Sequence, residues 1–207
     1  MNNNQENNTV NALEPREDHA FKAAVWLYDI VEIAALAVIV GLLIFTFCAR
    51  LCRVEGDSMN NTLSNGETLI TTNFCYEPKQ GDIVVFHLSN EHYQKPLVKR
   101  IIATEGQSVK IDLTDKKVYV DGVLLDEPDT FLEGGDYSSI YFASGSLTRD
   151  KQGHTVYFAE VPEGMLFVMG DNRNHSADSR SDMVGLVDER CVLGKAVVRL
   201  SPFTMID

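Results

Sequence analysis

The sequence predicts a mainly β protein, in which one N-terminal transmembrane helix is followed by an all-β domain with a loop-rich β insertion. Two observations predict this class. No charged residue interrupts the run from Ile33 to Ala49. Beyond Arg53, short apolar stretches alternate with clusters of turn residues. At 207 residues and 44% hydrophobic composition the chain can build one sizeable domain. Its net charge of -12 argues against a nucleic-acid binder.

Met1 to Asp18 is asparagine-rich and acidic, with too little apolar surface to offset the entropy of ordering it. A disordered tail over residues 1–22 is expected. The anchor follows over residues 23–49. Its uncharged core of seventeen residues reaches about 25 Å as a helix. Adding the segment from Trp26 to Glu32 covers the roughly 30 Å of a hydrocarbon core, and Trp26 and Tyr28 suit the interface. A cleaved signal peptide needs a small-residue cleavage site, for which Phe47-Cys48-Ala49-Arg50-Leu51 is a poor match. A buried core helix is the third reading, and the retained anchor is preferred. Charge leaves the orientation open, because Arg16 and Lys22 precede the span while Arg50 and Arg53 follow it.

In the remainder, strands are expected at Thr68 to Thr72, Asp82 to His87, Leu97 to Thr104, Ser108 to Leu113, Val118 to Val120, Val123 to Leu125, Thr155 to Phe158, Met165 to Met169 and Ala196 to Leu200. Asp121-Gly122 is a hairpin turn, since this pair supplies the positive φ angles of a two-residue loop. Asp126 to Gly153, with Gly134-Gly135 and Gly145, reads as irregular. The β domain is placed at residues 50–207, with the insertion at about 110–160.

The stretch Val54-Glu55-Gly56-Asp57-Ser58-Met59 supplies a candidate nucleophile, Ser58, which needs a base to take its proton. Lys99 is the candidate. In Pro96-Leu97-Val98-Lys99-Arg100-Ile101-Ile102, strand alternation sets Lys99 on a face with Leu97 and Ile101, while Arg100 points the other way. A lysine of ordinary pKa is protonated at neutral pH. Lowering it by roughly two to three units takes about 3 to 4 kcal/mol of penalty on the charged form, within the range of burial. Ser58 is eight residues beyond Arg50, hence within about 26 Å of the membrane surface even on an extended chain.

Other chemistries fit less well. The five histidines, His19, His87, His92, His154 and His175, form no HExxH or zinc spacing, so no metal is expected. Cys48, Cys52, Cys75 and Cys191 read as free thiols. No SxxK spacing is present.

The dense polar run Gly170-Asp171-Asn172-Arg173-Asn174-His175-Ser176-Ala177-Asp178-Ser179-Arg180 follows an apolar strand. Together with Gly56-Asp57-Ser58-Met59 and Val98-Lys99-Arg100-Ile101-Ile102, in that order behind one anchor, it resembles the boxes of the bacterial type I signal peptidases, the S26 family of serine-lysine proteases. The form is the single-anchor one common among Gram-positive bacteria. The likeness spans most of residues 23 to 200, including Glu127-Pro128 after the hairpin.

The resemblance implies a membrane-bound serine endopeptidase that removes signal peptides from exported pre-proteins, without a cofactor. It makes Ser58 the nucleophile, Lys99 the general base and Ser176 the hydroxyl that orients the lysine amine. Gly56, Asp57 and Met59 fall in the oxyanion and substrate region, and Arg100, Asp171, Asp178 and Arg180 are structural ion-pairing residues. The partners implied are extended peptides of pre-proteins and the lipid bilayer. The location implied is the cytoplasmic membrane, with a cytoplasmic tail and the β domain outside. Gly56 replaces a serine that donates to the oxyanion in some members, leaving the backbone amide of Ser58 as one donor and the second unassigned. Asn61 stands where proline is common. The alternatives are a specialised peptidase with a dedicated client, a non-enzymatic accessory relative in surface-protein assembly, and a self-cleaving repressor. The last carries a DNA-binding domain where this chain has its apolar segment.

Overall fold

The computed structural model describes residues 19–88, 93–127 and 145–206. The tail expected over 1–22 falls outside this range up to residue 18, as does the middle of the expected insertion, 128–144. The chain divides after Phe45 into two units.

The helix α1, His19–Cys48, supplies the described part of the first and ends three residues into the second. Phe21–Leu43 is long and apolar enough to cross a membrane. From Phe21 to Leu43 its apolar side chains are exposed all around, Trp26, Leu36 and Leu42 among them, a pattern that belongs in hydrocarbon or a core rather than in water. The helix starts before the expected residue 23. Ala49, expected to end the anchor, opens a strand instead.

The second unit holds thirteen strands among the described residues, in two antiparallel sheets. They are β1 Ala49–Arg53, β2 Thr68–Thr72, β3 Ile83–Phe86, β4 Leu97–Ala103, β5 Ser108–Asp112, β6 Lys117–Val120, β7 Val123–Leu124, β8 Ser146–Arg149, β9 Thr155–Glu160, β10 Met165–Met169, β11 Val187–Asp188, β12 Val192–Leu200 and β13 Phe203–Met205. One sheet runs β1-β2-β12-β3-β4-β10-β11, with β13 paired to β12. The other runs β7-β6-β5-β9-β8. All nine expected strands are present. β1, β8, β11 and β13 are additions, and β8 lies in a stretch expected to be irregular.

Local chemistry accounts for these elements. The β6–β7 turn has Asp121 at φ 51° and Gly122 at φ 80°, the left-handed pair a two-residue hairpin requires. Ile83–Phe86 shows no alternation because all four side chains are buried, with β4 on one flank and β12 on the other. Three apolar clusters hold the unit together. The first joins both sheets through Ile102, Val109, Ile111, Tyr157 and Phe167. A second forms around Val84, Phe86, Ile101 and Leu166. The third packs Val54, Met59 and Leu63 against Leu69, Ile83 and Ala196, and so fixes the loop that carries Ser58.

Phe167, fully buried between the sheets with its ring 6.2 Å from that of Tyr157, is the keystone of the first cluster. Phe167→Ala is expected to cost about 3–5 kcal/mol, read as an earlier urea midpoint of near-ultraviolet circular dichroism in the detergent-solubilised chain.

Candidate active site

Ser58 sits in the loop between β1 and β2, which closes on itself through Val54 N to Glu67 O and Gly66 N to Val54 O, both 2.8 Å. Within it, Asn60 N donates to Asp57 O at 3.1 Å and Leu63 N to Met59 O at 2.8 Å, winding the residues after Ser58 into tight turns. Gly56 holds φ at +89° and donates its amide to Asn65 Oδ1 at 3.0 Å. Gly56 and Asp57 are exposed. Met59 is only 1% exposed, so it acts on the loop from beneath, as a core side chain, and does not line an open substrate surface.

The strand β4 brings Lys99 to this loop. Lys99 Nζ donates to Ser58 Oγ at 2.6 Å and to Val98 O at 3.0 Å. Its side chain is almost fully buried, on the face shared with Ile101 as alternation predicts. Burial pushes the amine from 10.5 down to about 8. The carboxylates of Asp178 and Asp171 oppose that drop, and Arg180 adds to it.

The segment following β10 clamps the Ser58 loop. Asn172 N donates to Ser58 O at 3.0 Å and Asn172 Nδ2 to Asp57 O at 3.1 Å. Thr62 Oγ1 donates to Asp171 Oδ2 at 2.5 Å. Asp171 also receives Arg100 in a two-pronged pair, Nε to Oδ1 at 2.9 Å and NH2 to Oδ2 at 2.7 Å, geometry that fixes both partners. A second two-pronged pair, Arg180 with Asp178 at 2.7 Å per bond, is wholly buried. Burial works to raise the Asp178 carboxyl, but Arg180, Gly170 N and Ser176 outweigh it and hold the group below the ordinary range.

Ser176 is buried beside Asp178. The hydrogen bond to the lysine amine that the resemblance implies is not among the bonds of Lys99, and the Ser176 hydroxyl faces the Asp178 carboxylate instead. Gly170 explains its placement. A Cβ there would lie 2.3 Å from Ser176 Oγ and 2.4 Å from Ser58 O, so the absence of a side chain lets both serines approach one point.

All the sequence-derived residues thus fall in or beside one site, with Met59 under it. Four contributors were not singled out from the sequence: Thr62, Asn172, and Arg173 with its partner Glu127. Arg173 donates to Gly170 O at 3.1 Å and forks onto Glu127 beyond β7, tying the second sheet to the clamp. The signal for three of these lay inside matched stretches, since Asn172 and Arg173 belong to the polar box and Glu127 follows the hairpin. Among the described residues, the group able to hold a cation is Asp112, Asp150 and His154. There Asp112 caps the β5–β6 turn and bonds His154 at 2.8 Å, and Asp150 pairs with Lys110. These bonds anchor turns away from Ser58.

Two outcomes follow from the packing. Gly170→Ala is expected to lower kcat at least about a hundredfold, because displacing a reacting group by roughly 1 Å costs that much. Lys99→Met is expected to stabilise the protein at pH 7 by up to about 3 kcal/mol, measured by denaturant unfolding. The folded pKa of this amine is depressed, so the burial penalty is full below about 8 and fades as pH rises to 10.5. The gain should fade over the same interval.

A family model described as "Signal peptidase, peptidase S26" matches residues 27–201. Signal peptidase I of Bacillus licheniformis is 35% identical, over 87% of this chain and 91% of that protein. Signal peptidase IB of Staphylococcus aureus is 32% identical, over 86% and 90%. A crystal structure of a signal peptidase I from Enterococcus faecalis V583 is 28% identical, covers 58% of this chain and 97% of that one, and superposes with a TM-score of 0.41. A match over most of the chain, with relatives above 30% identity along nearly their full length, means that the chain belongs to the type I signal peptidases of peptidase family S26.

Proposed function

We propose that this hydrolase is a membrane-bound serine endopeptidase that cleaves N-terminal signal peptides from exported pre-proteins through a Ser58–Lys99 dyad and an acyl-enzyme. The observation that carries the reading is the buried Lys99 amine, 2.6 Å from Ser58 Oγ and depressed to about 8. At neutral pH roughly a tenth of such amines are unprotonated, enough for a base whose pKa lies near the working pH.

Neutral Lys99 takes the Ser58 proton as Oγ attacks the scissile carbonyl, and the tetrahedral oxyanion forms against the backbone amide of Ser58. Lys99 then gives the proton to the leaving amine as the peptide bond breaks, and the acyl-enzyme remains. Water, deprotonated by the same amine, attacks the ester, and the released Oγ regains its proton. Asp171–Arg100 and Asp178–Arg180 each neutralise themselves, leaving burial to set the lysine pKa. The Ser176 hydroxyl, which approaches the same point over Gly170 as Ser58 O, accepts the amine once Ser58 is acylated.

The substrate lies in a cleft of about 270 Å³ between the segments entering Ser58 and Lys99, with Leu51, Val85, Pro96 and Val98 on its walls. Among the described residues, β1 pairs with β2 alone and Leu97–Lys99 with β3 alone, since β10 joins β4 from Arg100 onward. Both segments therefore keep free main-chain groups for an extended peptide. The apolar walls suit small side chains. The apolar helix, with Phe21–Leu43 as its spanning part, is the bilayer anchor, the residues before it form a cytoplasmic tail, and the strands from Ala49 onward build the peptidase domain on the extracytoplasmic side. A dedicated client remains within this reading, and a non-enzymatic role leaves the depressed amine without a purpose.

Cleavage of an Ala-x-Ala signal-peptide substrate by the detergent-solubilised chain is the test. The base must be neutral, so kcat/KM should rise about tenfold per pH unit below 8 and level off above it. Ser58→Ala and Lys99→Arg should each lose at least about 10³-fold. Undiminished cleavage at pH 6, or in Lys99→Arg, would overturn the dyad.

A further inference from the structure

The two walls of the cleft are joined by an ion pair. Lys95 Nζ lies 2.6 Å from Glu55 Oε2, the side chains being 74% and 62% exposed. Both residues line the cleft, Glu55 three positions before Ser58 and Lys95 four before Lys99. Arg53, from β1, lines it as well. Lys95 and, more weakly, Arg53 hold the Glu55 carboxyl below its ordinary range, so this one anion stands between two cations. The rest of the cleft wall is mostly apolar.

An extended peptide entering between the walls has to pass this bridge. A neutral side chain leaves it closed. An acidic one can take Lys95 while Glu55 falls back on Arg53 and water. A basic one gains Glu55 only by confronting Lys95 and Arg53. We propose that Glu55 and Lys95, with Arg53, form a charge-reading bridge across the substrate cleft, which favours an acidic over a basic side chain at the substrate position that meets it. The inference deepens the peptidase reading and rests on it.

The test uses the full chain in detergent and peptides carrying Asp, Asn or Lys singly at each position from six before to two after the cut. The readout is the Asp-to-Lys ratio of kcat/KM at each position, which loss of folded enzyme does not change. At low salt the wild type should favour Asp by about fivefold at one or two positions, and the preference should collapse at high ionic strength, as an exposed charge effect must. Glu55→Gln should enlarge the ratio. Lys95→Glu, which leaves two anions facing one cation, should invert it. A ratio unmoved by both variants at every position overturns the bridge. If the wild type cleaves not even the neutral peptide, the reading as a peptidase of general signal peptides fails instead. The bridge is then decided by fluorescence anisotropy of the same peptides on Ser58→Ala, where equal affinity for the Asp and Lys forms overturns it.

Discussion

The structure depends on removing one amine from water without giving it a counterion. Lys99 is buried with a hydroxyl and a carbonyl as its hydrogen-bond partners. A lysine beside a free carboxylate would hold its proton more tightly, and two carboxylates do act on this one. Each is already engaged, Asp178 by Arg180 and Asp171 by Arg100. Pairing the neighbours with arginines, which stay charged at any working pH, leaves desolvation as the dominant influence on Lys99.

Such an amine is useful only if the hydroxyl stays put, and the fold spends three contacts on that. Within the segment 170–173, Asn172 holds the loop at Asp57 O and Ser58 O and Asp171 holds it at Thr62 Oγ1, while Val54, Met59 and Leu63 pin it from below. The same short segment meets the second sheet through Arg173 and Glu127. One polar loop therefore couples the core under Ser58, the ion pairs around Lys99 and the inserted sheet. This coupling is the physical reason why so many of its residues are charged yet buried.

Much of this was legible in the sequence. The nine expected strands show either period-two alternation or short apolar runs between turn residues, and Asp121-Gly122 announced its hairpin. β1, β11 and β13 were not legible, because Ala49–Arg53 is mostly polar or half-exposed and the other two are only two and three residues long. Their pairing is decided by neighbours rather than by local pattern. For the site, alternation gave the buried face of Lys99, and the boxes marked where Ser58, Asp171, Asp178 and Arg180 belong. What spacing could not convey is direction. Met59 follows Ser58 in the chain yet turns into the core, and Ser176 leans on Asp178 and Gly170 rather than bonding the amine. Thr62 and Glu127 reach partners 109 and 46 residues away, a relation that only the folded chain reveals.

The open cleft imposes a last constraint. Two strand segments that each have a single strand neighbour among the described residues invite pairing with any extended chain, a second copy of this protein included. Proteins blunt such edges with charge, and here Arg53, Glu55 and Lys95 stand along the edge itself. A charged rim over apolar walls discourages long hydrophobic strands from settling, since they would bury those charges, while an extended segment with small side chains at the reacting centre can pass below them. On the reading proposed above, the protection of an unpaired edge and the choice of substrate become the same electrostatic property, exerted three and four residues from the two groups that perform the chemistry.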